Sequence, residues 1–472
     1  MEATEKIKLS QKDIQTFSNI IGEKYVCFDP ESLENYGHDE TEKLLYLPSV
    51  VLKPRTAEEI SEILKYCNGL KIPVTPRGAG TGLSGAALPN LGGVLVSTER
   101  LNSIINIDEK NLQVITEPGV ITEALQNAVK EKGLFYPPDP SSKGSCYIGG
   151  NISANSGGPK AVKYGVVRDY VLNLQVVLPT GEIIWTGANV LKNSSGYNLT
   201  QLIVGSEGTL CIVTQIVLKL IPHPKFDLLM LVPFKSLEKA GEAVSAIFRA
   251  GFVPSGLELV EVEALKIVSD YFKNTTIPIA DDIAAHLIVE VDGNNMEVMM
   301  GEMELISELL MTYGAEDVLF ADNSSQKAEL WKLRRGVAEA VKIAGYTIEE
   351  DTVVPRAALP ELILGIKELG RQYNFHAVCY GHAGDGNLHV RIKKHGTSNS
   401  QDDPEVIAGI RALFQLVHSL GGTISGEHGI GLIQKRYLDI VFTETHLNLM
   451  RQIKIAFDPN NILNAGKIFD LK

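Results

Sequence analysis

Two short glycine-flanked stretches carry most of the chemistry that this chain can do. GHAGDGNLH sets His382 in a glycine-rich turn and His389 seven residues later, and GEHG places Glu427 beside His428 about 40 residues on. Two imidazoles and a carboxylate suit a divalent ion of the zinc or manganese kind and leave coordination positions open for a substrate. An imidazole that titrates near neutrality can also accept a proton. Any one of these histidines, taken alone, reads as a satisfied core or loop residue.

The elements that must position these groups follow from the local pattern. HAVCYGHAGDGNLHVRI reads as strands, as does AAHLIVEVDG, while residues 235–250 and 294–313 are amphipathic at helical spacing. Nearer the N-terminus, SVVLKP and TAEEISEILKYCNGLKIPVTPRG give strand, helix and strand, with Thr56 as the helix cap ahead of Glu58 and Glu59 and an apolar face of Ile60, Ile63 and Leu64. From about 92 to 220 the chain is dense in strands, GGVLVS, LQVITEPG, LNLQVVLPTGEIIWTG and LCIVTQIVLKLI, with Pro179-Thr180-Gly181 as a turn. The final stretch from about 430 is mostly helix, followed by FDPNNILNAGKIF, in which Asp458-Pro459 is a stop signal.

Composition narrows the function classes. A length of 472 residues exceeds what one core usually serves, so two domains or a domain with a large cap are expected. With 44% apolar and 21% charged residues the chain reads as an ordinary globular protein, and a net charge of -13 argues against nucleic acid as a partner. The five cysteines are scattered and never in a CxxC pair, which argues against a disulfide framework and an iron-sulfur cluster. MEATEKIKLSQKDIQTF lacks the features of a signal or transit peptide, and no apolar run reaches about 18 residues, so a cytoplasmic location is expected.

PRGAGTGLSG follows a predicted strand, and its Gly80, Gly82 and Gly85 satisfy GxGxxG. A Rossmann loop must open a helix, yet ALPNLGG comes next, and its proline and glycines make it unfit for one. The alternative is a nest of backbone N–H groups that holds a pyrophosphate without a helix dipole, with charge added by Arg77. A second segment, PPDPSSKGSCYIGGNISANSGGPKAVKYG, has the small residues that let backbone approach a ligand, and VGSEGTL adds Gly205, Ser206, Glu207 and Gly208.

On these motifs the chain resembles the vanillyl-alcohol oxidase or p-cresol methylhydroxylase type (PCMH-type) of FAD-binding flavoproteins. Within that type it is similar to the branch of D-lactate dehydrogenase, glycolate oxidase and D-2-hydroxyglutarate dehydrogenase. The resemblance runs from about residue 46 to the end, with the motifs in order. Residues 1–45 read as a polar, weakly helical N-terminal segment. For the rest the resemblance implies an α+β fold: an FAD-binding domain of two α+β subdomains (46–223), an α+β substrate or cap domain with an antiparallel sheet (224–430), and a C-terminal helical segment (431–472) that returns to the FAD domain. It implies FAD held by Arg77, Gly78, Ala79, Gly80, Thr81 and Gly82 at the pyrophosphate and by Pro138, Asp139, Ser142, Gly149, Gly150, Asn151, Ser153, Asn155, Gly158, Tyr164 and Gly165 along the isoalloxazine and ribityl. Glu207 and Gly208 join them, with Val213 by the adenine end and Asn464 returning to the flavin. The first loop has no histidine, so non-covalent FAD is expected.

The same resemblance sorts the first cluster, and with it the four groups read as a site. It implies that His382, His389 and Glu427 are ligands of a divalent metal, zinc first with manganese or iron as alternatives, and that His428 is the proton acceptor. It also implies that Arg334, of WKLRRG, clamps the substrate carboxylate and that Asn387 touches it, while Arg335 stays on a solvated face. Cys379 reads as a small buried strand residue, and Asp385 as a shaper of the turn. The implied reaction is oxidation of a D-2-hydroxy acid to the 2-oxo acid, with the hydroxyl activated by the metal, its proton taken by His428 and the hydride passed to flavin N5.

Where hydroxyglutarate enzymes carry a threonine and a lysine, this chain has Ala338 and Glu349, with Glu350 and Asp351 adjoining. A second substrate carboxylate would meet negative charge there unless Arg356 turns inward, so D-lactate or glycolate is favoured and D-2-hydroxyglutarate is the alternative. An external electron acceptor is expected: an electron-transfer flavoprotein, an iron-sulfur subunit, a cytochrome or a quinone, with peripheral membrane association for a membrane acceptor. A homodimer is a further expectation. The rival from another class is a non-redox transferase of the alkyl-glycerone-phosphate synthase type, whose phosphorylated substrate calls for basic residues where this chain has acids. An inactive subunit of a larger oxidoreductase is disfavoured by the complete set of motifs.

Overall fold

The structure, a computed structural model, describes residues 9–273, 280, 282–321, 323–394 and 403–471. The first eight residues of the expected N-terminal segment lie outside the described residues. The chain divides into two compact units, one of Met1–Ser156, Val166–His223 and Glu427–Lys472, the other of Gly157–Gly165 and Pro224–Gly426. Helices and sheets mix in both, an α+β architecture.

In the first unit, Thr56 accepts a hydrogen bond from the Glu59 N–H at 3.1 Å and starts the helix Ala57–Leu70. Ile60, Ile63 and Leu64 on one face of that helix are fully buried. Each such side chain contributes about 1.5–3 kcal/mol through burial, so Ile63→Ala would cost roughly 2–5 kcal/mol. This face packs in a core with Val50, Leu52, Val74, Val94 and Val96 from a four-stranded sheet and with Ile462 and Leu463 from the C-terminal stretch. A five-stranded antiparallel sheet holds Gln113–Thr116, Ile212–Lys219 and Val171–Val177 side by side, and Ile183–Trp185 closes a hairpin at the 179–181 turn. The C-terminal stretch locks beside the strand Val74–Arg77, where Val74 donates to the Ile462 carbonyl and Asn464 donates back to Val74, both at 2.7 Å.

The second unit is built on a seven-stranded antiparallel sheet in the spatial order Leu319–Phe320, Phe226–Phe234, Ala285–Gly293, Gly256–Glu261, Phe375–Gly381, Asn387–Lys394, Ile348–Val353. The helices Val262–Phe272 and Ser324–Ile343 pack over it through Ala264, Leu265, Val268, Leu330, Leu333 and Val337, all buried. Gly157–Gly165 belongs to this unit. Lys160 pairs with Glu290, Lys163 with Asp292 at 2.6 Å, and the Tyr164 hydroxyl donates to Asp292 at 2.8 Å.

Candidate active site

The glycine loop opens no helix. Val74–Arg77 runs into it, and no helix follows before Val94–Ser97. Gly80 has φ +78, and a Cβ there would lie 2.1 Å from the Arg77 guanidinium, which is buried and folded back over the loop. A Cβ on Gly82 or Gly150 would meet no protein atom within 4 Å, and one on Gly78 would come to 3.7 Å from Gly150 Cα. Bare backbone thus lines a space that side chains would fill, which suits a closely approached pyrophosphate. FAD fits this cradle through main-chain groups of 78–82 and 149–150.

Several polar side chains expected along FAD serve the loops themselves. Asn151 Nδ2 donates to Thr122 Oγ1 at 2.6 Å, Ser153 Oγ to the Gly149 carbonyl at 2.9 Å, and Asn155 Oδ1 accepts from the Arg168 N–H at 2.9 Å. The Pro138 carbonyl accepts from Gln126, Asp139 is buried, and Ser142 caps the following turn through its carbonyl. The two Glu207 oxygens accept from the N–H groups of Ile430 and Gly431 at 2.7 Å each. Burial pushes the Glu207 carboxyl up, against those two N–H groups and the Lys467 charge. Asn464 Nδ2 donates to the carbonyls of Ala86 and Glu207 at 2.9 and 2.7 Å. Ala79 and Thr81 are half-buried in the loop, Gly208 abuts Pro76, and Val213 is buried opposite Val176. Gly158, Tyr164 and Gly165 sit with the second unit.

In the second unit the strands Phe375–Gly381 and Asn387–Lys394 form a hairpin whose turn carries His382. The turn is tight because Gly386 has φ +87 and lies so close to the Val354 carbonyl that a Cβ would fall 1.9 Å from it. Asp385 accepts from the Asn387 N–H within the turn. His382 is 3% exposed, and its Nδ1 lies 2.8 and 2.9 Å from the two oxygens of Glu258, which is itself fully buried. Arg334, 5% exposed, donates from Nε to Glu258 Oε2 at 2.7 Å and holds it again through Nη2 at 2.6 Å. Burial opposes ionisation of Glu258, but the charges and hydrogen bonds of His382 and Arg334 outweigh it and hold the carboxyl below its ordinary range.

His389 lies in register with Tyr380 on one side and Asp351 on the other. A ring nitrogen of His389 is within 4.8 Å of one of His382, and the rings meet edge-on with centroids 5.7 Å apart. The pair fits a shared divalent ion in spacing and in donor chemistry. Its Nδ1 is 3.6 Å from Glu349 Oε1, and the other oxygen of Glu349 meets Arg391 at 2.5 Å.

Glu349 is therefore paired with a buried arginine, and the expectation of bare acids at 349–351 changes accordingly. Asp351 accepts from Asn387 Nδ2 at 2.7 Å, Ser425 Oγ at 3.0 Å and the Gly426 N–H at 2.8 Å. Arg356 stacks 3.7 Å over Phe248, and Arg335 is exposed against Trp331. Cys379 is fully buried, its thiol pushed up by that burial. Glu427 and His428 follow Gly426 directly. In the first unit, Ile430 and Gly431, shortly after His428, donate to Glu207.

The pattern described as "FAD binding domain" matches residues 48–187, and that described as "FAD linked oxidases, C-terminal domain" matches residues 223–468. The chain belongs to the FAD-linked oxidase family. The chain is 39% identical over 435 residues to glycolate oxidase subunit GlcD of Bacillus subtilis (strain 168), covering 92% of each chain. It is 37% identical to D-lactate dehydrogenase of Anaerostipes hadrus, covering 98% of each. D-2-hydroxyglutarate dehydrogenase of Xanthomonas citri pv. viticola is 33% identical, with 94% of this chain and 93% of that one covered. Among solved structures, p-cresol methylhydroxylase with substrate bound superposes at a TM-score of 0.79, with 18% identity and 98% of each chain covered, which shows the shared fold. Among the described residues, no helix is long and apolar enough to cross a membrane.

Two groups of the site escaped sequence reasoning. Glu258 lies 124 residues before His382 in GLELVE, where it reads as a polar position of a strand, and Arg391 reads as one of several basic residues after His389. Only strand pairing places Glu258 under His382 and Arg391 opposite Glu349.

Proposed function

We propose that this chain oxidises a small D-2-hydroxy acid, D-lactate or glycolate, to the 2-oxo acid and delivers the electrons to an external acceptor. The observation that carries the reading is the buried His382–Glu258–Arg334 constellation beside His389. It brings imidazole ligands and a guanidinium to one place, as a chelating hydroxy acid requires. Bound FAD supplies a two-electron acceptor for the C2 hydride. A divalent ion, zinc or alternatively manganese or iron, supplies Lewis acidity that lowers the hydroxyl pKa. His382, His389 and Glu427 would hold that ion. Glu427 suits the third position because it is one peptide bond beyond Gly426, which Asp351 anchors.

Arg334 binds the substrate carboxylate through guanidinium N–H groups that Glu258 leaves over. Asn387 gives both Nδ2 hydrogens to Asp351 and the Thr352 carbonyl, so its remaining Oδ1 can accept from the substrate hydroxyl but cannot bind the carboxylate that the sequence reading assigned to it. His428 takes the hydroxyl proton at a ring nitrogen. Support for a monocarboxylate comes from Arg391, the other buried arginine, which is already paired with Glu349. A second substrate carboxylate would have to compete for it. The relatives named for glycolate and lactate point the same way. Anaerobic mixing with D-lactate and with glycolate should bleach the flavin, and His428→Ala should slow bleaching by at least about a hundredfold. Equal bleaching in the variant would remove His428 from its role, and no bleaching by either acid in the parent protein would overturn the substrate reading.

A further inference from the structure

Each of the two imidazoles in the hairpin is backed by a carboxylate, and each carboxylate by an arginine. His382 Nδ1 meets Glu258 at 2.8 and 2.9 Å, and Glu258 meets Arg334 at 2.6 Å. His389 Nδ1 lies 3.6 Å from Glu349, and Glu349 meets Arg391 at 2.5 Å. Both carboxylates lie on the Nδ1 side, and the four charged partners come from four different elements: the strands at 256–261, 348–353 and 387–394 and the helix at 324–343. Tyr380 lies between the two sets, its ring 5.3 Å from His389 and 5.3 Å from the Arg334 guanidinium, with its hydroxyl donating to Glu349 at 3.3 Å.

We infer that Glu258 is a positioning residue, which holds His382 as the Nδ1–H tautomer and so reserves Nε2 for the metal. An ionised carboxylate only accepts, so the proton of a neutral His382 must sit on Nδ1, and the Nε2 lone pair is the one that remains. The contact to both oxygens fixes the ring plane as well as the tautomer. A Glu258 whose sole task was to neutralise Arg334 would need no second contact to the imidazole, and such a buried pair could be replaced by apolar side chains. Arg334 then has a double part, holding Glu258 in place while keeping its other N–H groups for the substrate. Glu349, 3.6 Å from His389 Nδ1, is beyond hydrogen-bond distance and does not orient that ring in the same way.

This inference rests on the metal reading above, and the test separates the two. The FAD-containing protein is stripped with a chelator and titrated with zinc or manganese alone, as parent, Glu258→Gln and Glu258→Gln/Arg334→Met. Before metal is added, the His382 tautomer is read by NMR on 15N-histidine-labelled protein. The expected results are an Nδ1–H tautomer in the parent and metal binding weaker by about 10–100-fold in both variants, with the FAD content unchanged. Metal affinity within twofold of the parent in Glu258→Gln would overturn the inference. So would full recovery in the double variant, since Glu258 would then act only through the charge of Arg334. If Glu258→Gln fails to fold around its stranded arginine, the double variant decides by the same criterion. If the parent binds neither metal, the metal reading fails, and the tautomer alone decides on Glu258: Nδ1–H supports the inference and Nε2–H refutes it.

Discussion

Asp458→Asn should loosen the flavin unit more than any exposed substitution, for reasons that can be counted on the structure. Asp458 is fully buried and accepts from Lys454 Nζ, from the Ile462 N–H at 3.1 Å and from the Leu463 N–H at 2.8 Å. Lys454, 3% exposed, donates also to the carbonyls of Thr209 and Leu463 at 2.7 Å each. The amide keeps the shape and one acceptor but strands a buried ammonium, a loss of about 3–5 kcal/mol. That is roughly a hundredfold to several-thousandfold in the folding equilibrium. Ile462 and Asn464 bracket Val74, four residues before Gly78 opens the glycine loop, so FAD should be released early in the same transition. Urea titration followed by circular dichroism and by the fluorescence of released FAD measures both. Lys454→Met/Asp458→Asn removes the stranded charge and should recover more than half of the loss. A single variant within about 1 kcal/mol of the parent, or a double variant as unstable as the single, would refute the argument, since a stranded buried charge is what sets its size.

Chelator treatment of the purified protein should abolish hydroxy acid oxidation while leaving the flavin spectrum intact, and zinc or manganese should restore turnover; activity that survives a metal-free assay removes the ion from the reaction. Lys467 is buried, with its ammonium held by the Leu88 carbonyl and the Asn90 side chain, and burial lowers its pKa to about 7. Between that value and about 10.5 the unfolded chain binds the extra proton. Unfolding free energy should therefore rise with pH from about 7 upward and be lowest below 7, and Lys467→Met should flatten this slope. Gly80→Ala forces a side chain into φ +78 and against Arg77, so FAD affinity should fall at least about tenfold by equilibrium dialysis; unchanged affinity would place the pyrophosphate elsewhere.

Much of the scaffold was legible locally. The Thr56 cap, the 179–181 turn, the strands of HAVCYGHAGDGNLHVRI and the failure of ALPNLGG to form a helix each depend on a few neighbouring residues, and the structure carries them as read. Gly157–Gly165 was less legible. It reads as one run with the glycine segment before it, yet Lys160 and Lys163 bind Glu290 and Asp292, about 130 residues away.

By itself the sequence determined the candidate donors: two histidines at a glycine-rich turn and the strand after it, the Glu427–His428 pair and a glycine loop without a helix. Chemical identity and short-range backbone preference suffice for those. The tertiary structure alone decided which charges stand behind the donors. Glu258, Arg334, Glu349 and Arg391 meet His382 and His389 through strand register and helix packing, and a register is a long-range choice that period-two alternation leaves open.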